Sequence, residues 1–350
     1  MYRNKSVLVT GGASFIGSHL VDKLVAAGAE VVVADDFSSG KLENLEFRFT
    51  KKDGSTWQTD NLTVIQGDLK ERNFTRSLMA DADFVFHLAA LHGGRGYIDT
   101  HPADCCTNML LDQLVFEEAN RANVDRICFA SSACVYPSYL QEETGSDYLL
   151  KEDNADPFVR DKAFADLEYG WAKLMGEMAL KAYHRQYGMK TSSVRIFTAY
   201  GPRENETHAI IALIAKAFIE MDPYEIWGTG EQDRNFTYVE DIVDAMMLAC
   251  KKIEDGSSIN AGRDDRITIN EAIELIFNII GWKPKKIHRD LTKPTGVKSR
   301  AADLTNARQV LTFEPKVSYR EGFERTITWY TSKKDRKKVK DKLEQLLMER

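Results

Sequence analysis

The segment SVLVTGGASFIG, residues 6–17, constrains this chain more than any other. A short run rich in β-branched residues, Ser6–Thr10, enters glycines at 11 and 12. From Phe15 onward, Ile16, Leu20, Val21, Leu24 and Val25 recur at helical spacing until Gly28 provides a stop. EVVVADD then reads as a second buried strand ending at Asp35 and Asp36. Strand, glycine turn, helix and strand make a βαβ unit. Gly11, Gly12 and Gly17 lie where a chain must turn tightly and where bare backbone can approach an anion at a helix N-terminus. The carboxylate at the end of the second strand is placed to bind a ribose 2′-hydroxyl. The pair predicts a dinucleotide, its pyrophosphate over Gly11, Ser14, Phe15, Ile16 and Gly17 and its ribose at Asp35 and Asp36. A carboxylate there repels a 2′-phosphate, so NAD is favoured over NADP. Ser14 stands where the spaced pattern has its middle glycine.

The alternation continues through LTVIQGD, DFVFHLAA, a helix over NMLLDQLVFEEANRANV, the strand RICFASSA, a helix through YGWAKLMGEMALKAYHRQYG and the strand KTSSVRIF. Apolar strands alternating with helices predict an α/β fold: a Rossmann-type doubly wound parallel sheet covered on both faces. The texture changes after Gly201-Pro202, so we read residues 1–200 as a nucleotide-binding domain. Residues 201–332 read as a smaller C-terminal α/β substrate domain, not contiguous in sequence, and residues 333–350 as a charged, solvated terminal helix. A chain of 350 residues accommodates about two such domains, and 43% hydrophobic residues suffice for their cores.

Other classes are disfavoured. A net charge of −6 argues against a nucleic-acid or anionic-membrane partner. No apolar run approaches the roughly 18 residues of a membrane span. The N-terminus shows no signal-peptide cleavage site, so a cytosolic chain is expected. Five cysteines without a CxxC pair, and histidines without HExxH, predict neither a disulfide framework nor a metal site.

Tyr169 and Lys173, in YGWAK, sit at i, i+4 spacing on a predicted helix and so share a face. A cation one turn away stabilises a phenolate, which makes tyrosine usable as a base near neutrality. Ser131 and Ser132 end the preceding strand, where a hydroxyl can share a proton with Tyr169.

With these residues in place, the chain resembles the extended short-chain dehydrogenase/reductases, specifically the nucleotide-sugar epimerases and dehydratases. TGGASFIG, VVVADDFSSG, GDL, HLAA, SSACVYP, YGWAK, YGPR and WGTGEQDRNFTYVEDIV fall in the family's order across about residues 5–330. The resemblance implies NAD as cofactor, with Asp68 and Leu69 near the adenine, Leu88, Ala89 and Ala90 along the dinucleotide, and Lys173 at the nicotinamide ribose. It implies Ser132 and Tyr169 at the oxidised hydroxyl, Arg234 at the substrate diphosphate, a nucleoside-diphosphate sugar as substrate and a homodimer through helices that include YGWAK.

Ser132-Ala133-Cys134 lacks the acids with which sugar 4,6-dehydratases eliminate water, so an epimerase is expected. The SSAC stretch, the glycine-rich LHGGRGY (Gly93, Gly94, Arg95) and GVKSRAAD (Arg300) resemble the family's GDP-sugar 3,5-epimerases, in which such a cysteine transfers protons. There the opposing group is a lysine, and His208 falls at that place here. Thr198 stands where the family usually has a substrate-contacting asparagine. Two alternatives remain at this level. In a UDP-sugar 4-epimerase, Cys134 would be a bystander, a small core residue at a strand end. The other is an NAD-binding regulatory subunit without catalysis.

Overall fold

The computed structural model describes residues 1–143, 145 and 147–348. Its centre is a nine-stranded sheet. Eight strands are β1 (Ser6–Thr10), β2 (Glu30–Asp35), β3 (Thr50–Lys51), β4 (Thr56–Gln58), β5 (Leu62–Gln66), β6 (Phe84–His87), β7 (Arg126–Ser132) and β8 (Lys190–Ile196). Asp255–Ala261 forms the ninth, at the edge beside β8. The order is edge strand, β8, β7, β6, β1, β2, β5, β4, β3. All neighbours pair in parallel except β3 with β4 and β4 with β5, which are antiparallel. The parallel strands are apolar on both faces because helices cover both, as the sequence predicts. Val7, Val9, Val33, Phe84, Phe86 and Cys128 fall in one core and Leu8, Val85, Ile127 and Phe129 in the other.

From β1 the chain winds outward through β2 to β5, then crosses back to β6 on the other side of β1. Connections leaving β1 and β6 therefore diverge, and a crevice opens at the carboxyl ends of these strands. The helices that bear on it are α1 (Phe15–Ala26), α2 (Arg72–Met79), α3 (Arg95–Thr100), α4 (Pro102–Arg121), α5 (Leu167–Tyr187) and α6 (Ala209–Phe218).

Downstream, α7 (Val239–Lys252) packs against α1, β7 and β8, and Asp255–Ala261 follows it into the sheet. Residues 239–261 thus return to the sheet, and polar GSSINA joins it through backbone pairing that no apolar pattern announces. α8 (Ile269–Ile280), α9 (Tyr319–Lys333) and α10 (Arg336–Met348) gather around α6. α10 is less solvated than its charges predict, since Val339 and Leu343 are buried. Among the described residues no helix is long and apolar enough to cross a membrane.

Behind the strand ends, Arg195 is fully buried with Glu177, Nη2 to Oε2 at 2.7 Å and Nε to Oε1 at 2.9 Å. The Arg195 guanidinium overcomes burial and holds the Glu177 carboxyl below its ordinary range. Ser131 donates to Glu177 Oε1 at 2.5 Å and Ser258 to Oε2 at 2.7 Å, so this buried ion pair is satisfied from several sides and ties β7, β8, α5 and the edge strand together.

Candidate active site

The crevice is a cleft of about 620 Å³. One end is built by the glycine turn. Gly11 has φ +69°, and a Cβ on it would stand 2.9 Å from the Ala89 nitrogen; a Cβ on Gly17 would stand 2.2 Å from the Gly11 oxygen. Glycine at these two positions lets the β1–α1 turn press against the exit of β6 and lets α1 start close to the strand. Ser14 is the N-cap residue of α1 but its side chain makes no cap; Ser14 Oγ is instead 3.5 Å from Ser39 Oγ. Gly11, Ser14, Phe15, Ile16 and Gly17 all line the cleft. An α-helix N-terminus without a side-chain cap offers backbone N–H groups and a positive dipole end to an anion.

Asp35 is 5% exposed at the cleft edge. Its Oδ2 accepts from the Ala13 N–H and its Oδ1 from the Phe37 N–H, each at 2.9 Å. A Cβ on Gly40 would come within 2.7 Å of Oδ1, so a glycine there leaves the carboxylate its place. An ionised carboxylate is acceptor-only, the chemistry a ribose hydroxyl needs as a partner. Asp36, Asp68 and Leu69 line the same stretch, with Asp68 Oδ1 accepting from the Lys70 N–H at 2.9 Å.

Leu88, Ala89 and Ala90 form the floor. The Leu88 and Ala89 N–H groups both donate to Thr10 Oγ1 at 3.2 Å. That hydroxyl's own hydrogen is then available to His87 Nδ1 at 2.7 Å, which leaves His87 Nε2–H to donate to Asp112 Oδ1 at 2.9 Å. Burial pushes the His87 imidazole down, consistent with a neutral ring in that chain. The floor is therefore anchored from below by a buried relay of polar groups.

The other end gathers Ser132, Cys134, Tyr169, Lys173, Thr198, His208, Gly93 and Arg300, all on the cleft wall. Successive strand residues point to opposite faces. Ser131 accordingly turns back to Glu177, while Ser132 Oγ accepts from the Cys134 N–H at 3.1 Å at the head of the turn Ala133–Val135. Tyr169 and Lys173 lie one turn apart on α5. Lys173 is 1% exposed, with Nζ 4.5 Å from the Phe129 ring centroid and 5.9 Å from that of Tyr169. Burial pushes the Lys173 ammonium down, opposed by the Asp112 carboxylate. Arg300 donates from Nε to Gln141 Oε1 at 2.5 Å and from Nη1 toward Cys134 Sγ at 3.8 Å, and its Nη2 is 3.5 Å from Asp166 Oδ2. His208 is the N-cap residue of α6, where burial pushes its imidazole down to about 4.

Three expected substrate residues do not reach the cleft wall. Arg234 donates to the carbonyls of Asp233 at 2.6 Å, Thr295 at 3.0 Å and Val297 at 2.5 Å. Burial, then the neighbouring Arg300 charge, brings its guanidinium down to about 9. It fastens the 295–298 segment rather than facing the crevice. Arg95 is paired with Asp166 at 3.0 Å and Asp99 at 2.9 Å. Gly94 stands against the Thr207 carbonyl, where a Cβ would come within 2.0 Å, so its role is to seat the loop against the start of α6. The wall also includes residues the motifs did not single out, among them His92, Glu204, Asn205, Trp329 and Lys334. Glu204 is 3% exposed, and burial pushes its carboxyl well above the ordinary range.

An anion cradle at a helix N-terminus, a fixed carboxylate at the neighbouring strand end and a Ser/Tyr/Lys set in one cleft define a dinucleotide-dependent enzyme that moves hydride and protons. The chain belongs to the NAD dependent epimerase/dehydratase family, whose model matches residues 7–262. GDP-mannose 3,5-epimerase of Arabidopsis thaliana is 29% identical over 344 residues, covering 96% of this chain and 85% of that one. UDP-glucose 4-epimerase of Mycolicibacterium smegmatis is also 29% identical, covering 93% and 98%. Among solved structures, MoeE5 in complex with UDP-glucose and NAD is similar with a TM-score of 0.76 and 32% identity, over 93% of this chain and 98% of that one. The protein is thus an NAD-dependent enzyme of the nucleotide-sugar epimerase/dehydratase type, on a Rossmann-type sheet.

Proposed function

We propose that this enzyme inverts C3, C5 or both on a GDP-sugar, by way of a transient ketone at C4. The observation that carries the reading is that a thiol and an imidazole, Cys134 and His208, line the same cleft as Ser132, Tyr169 and Lys173. NAD fits the other half of the cleft. Gly11 and Ser14 to Gly17 would hold its pyrophosphate, Asp35 and Asp36 a ribose, Asp68 and Leu69 the adenine end, Leu88 to Ala90 the middle and Lys173 the nicotinamide ribose. Bound there, NAD supplies a reversible hydride acceptor.

The remaining chemistry belongs to the chain. Tyr169 takes the C4 hydroxyl proton, with Ser132 sharing it and the Lys173 charge stabilising the phenolate. A ketone at C4 acidifies the hydrogens on C3 and C5. Cys134 and His208 then remove and return ring protons from opposite faces, as stereoinversion requires. Gly93, Thr198 and Arg300 would contact the sugar, while Gly94, Arg95 and Arg234 would act by fixing the surrounding loops. The likeness to GDP-mannose 3,5-epimerase over nearly the whole chain supports a GDP-sugar. Turnover of GDP-mannose in deuterium oxide tests the reading, with deuterium expected at C3 or C5; turnover without it would rule the reading out.

A second reading, a UDP-sugar 4-epimerase, is favoured by the likeness to UDP-glucose 4-epimerase of Mycolicibacterium smegmatis over 93% of this chain and by the UDP-glucose bound to MoeE5. In that reaction the ketone turns over in the pocket and ring carbons keep their hydrogens.

We infer a homodimer in either case. Met109 and Leu110 on α4 and Trp171 and Met175 on α5 are 40–55% exposed, and α4 and α5 pack side by side. Trp171 and Met175 share one helical face. An apolar surface of this kind suits its own copy about a two-fold axis. Sedimentation equilibrium is expected to give twice the chain mass of 39.7 kDa, and a monomer at every loading would refute the dimer.

A further inference from the structure

His208, whose side chain is 28% exposed on the cleft wall, is asked to carry a proton where partial burial disfavours its charged form. Glu204 lies four residues earlier and lines the same cleft, with Oε1 3.5 Å from His208 Nδ1. Its other oxygen, Oε2, is buried and without a hydrogen-bond partner among the described residues. The contrast with Glu206, two residues on, is informative. Glu206 is also buried, yet it accepts from Tyr330 Oη at 2.9 Å and Lys334 Nζ at 2.8 Å. Burial raises the Glu204 carboxyl, opposed by one backbone N–H, that of Gly201.

The surroundings favour exchange of one hydrogen between the two side chains. Thr207 Oγ1 is also 3.5 Å from His208 Nδ1, but its hydrogen goes to Asn205 Oδ1 at 2.5 Å, so toward the imidazole it acts as an acceptor. A further titratable group near the ring is His92, from the loop after β6, with ring centroids 6.1 Å apart.

We propose that Glu204 and His208 work as a one-proton pair, Glu204 being the positioning residue that stores the proton His208 exchanges with a sugar ring carbon. The proposal rests on the reading of His208 as an acid/base. In the removal step, the proton of the ring C–H passes to Nε2 while the Nδ1 hydrogen passes to the Glu204 carboxylate. The C–H electron pair moves into the C4 carbonyl as an enolate. The imidazole is neutral before and after, with its hydrogen on the other nitrogen, and Glu204 ends as a carboxylic acid. Return of a proton runs the same transfers backwards. Because the proton is relayed on to Glu204, the charge is not left on the imidazole, whose charged form the surrounding protein disfavours. A 3.5 Å approach is long for a hydrogen bond, and such contacts tighten when the substrate is in place.

The test uses NAD-loaded enzyme and GDP-mannose in deuterium oxide, following ring-carbon deuterium and, separately, the absorbance of reduced NAD. Glu204→Gln keeps the shape but cannot store the proton. It is expected to slow deuterium incorporation about 100-fold while C4 oxidation changes less than about threefold; Glu204→Asp should recover about a tenth of the exchange rate. Exchange in Glu204→Gln within about threefold of wild type overturns the pair, and so does an equal loss of oxidation and exchange, which would mark a structural role. If Glu204→Gln does not fold, unchanged exchange in Glu204→Asp overturns it. Wild-type enzyme that turns the sugar over without deuterium removes the underlying reading. Exchange lost in His208→Ala but intact in Glu204→Gln removes only the pair.

Discussion

Tyr169→Phe is expected to lower turnover by about 10³-fold, on the order of 4 kcal/mol of transition-state stabilisation, while the protein retains its NAD. In the proposed reaction the phenol is the group that takes the C4 hydroxyl proton. It begins α5, one turn before Lys173, whose Nζ sits 5.9 Å from the tyrosine ring in a pocket that leaves it 1% exposed. Water screens a cation poorly there, so its stabilisation of a forming phenolate is larger than at a surface. Phenylalanine preserves the packing and removes only the O–H. Steady-state rates, together with the NAD released on denaturing the purified variant, separate a lost proton transfer from a lost cofactor. Turnover above about a tenth of wild type would remove Tyr169 from the role assigned to it.

The parts of this site that were legible in the sequence depend on local geometry. Glycines 11 and 17 are dictated by a turn and a close contact within one βαβ unit, and Tyr169 and Lys173 meet because helical spacing brings them together. The parallel sheet was legible because strands covered on both faces must be apolar throughout. What was not legible is set by contacts between distant segments. β3 and β4 are short and polar and owe their place to pairing alongside β5. Arg234 has the composition of a diphosphate ligand, but three carbonyls, two of them from the 295–298 segment, occupy its guanidinium. Glu204 follows Gly-Pro-Arg in what reads as an ordinary exposed turn. Its burial, and therefore its chemistry, arises only in the folded chain.

Cys134 decides between the two reactions. If a ring carbon is inverted, Cys134→Ala and Cys134→Ser should each lose about 10³-fold in turnover and in ring-carbon deuterium, because neither a methyl group nor an alcohol can stand in for a thiol in exchanging a carbon-bound proton. Serine is the sharper of the two, since it keeps nearly the size of the thiol and a hydrogen-bonding atom for Arg300. The thiol is held for such work: its backbone N–H is fixed on Ser132 Oγ at 3.1 Å, and Arg300, itself braced by Gln141 and Asp166, points Nη1 at the sulfur from 3.8 Å. A 4-epimerase makes no demand on this sulfur, and both variants would then keep turnover within about threefold. Measured with GDP-mannose and with UDP-glucose, the result also assigns the substrate. A thiol that matters only with the guanosine sugar ties the nucleotide to the inversion, whereas indifference with both makes Cys134 a packing residue at the end of β7.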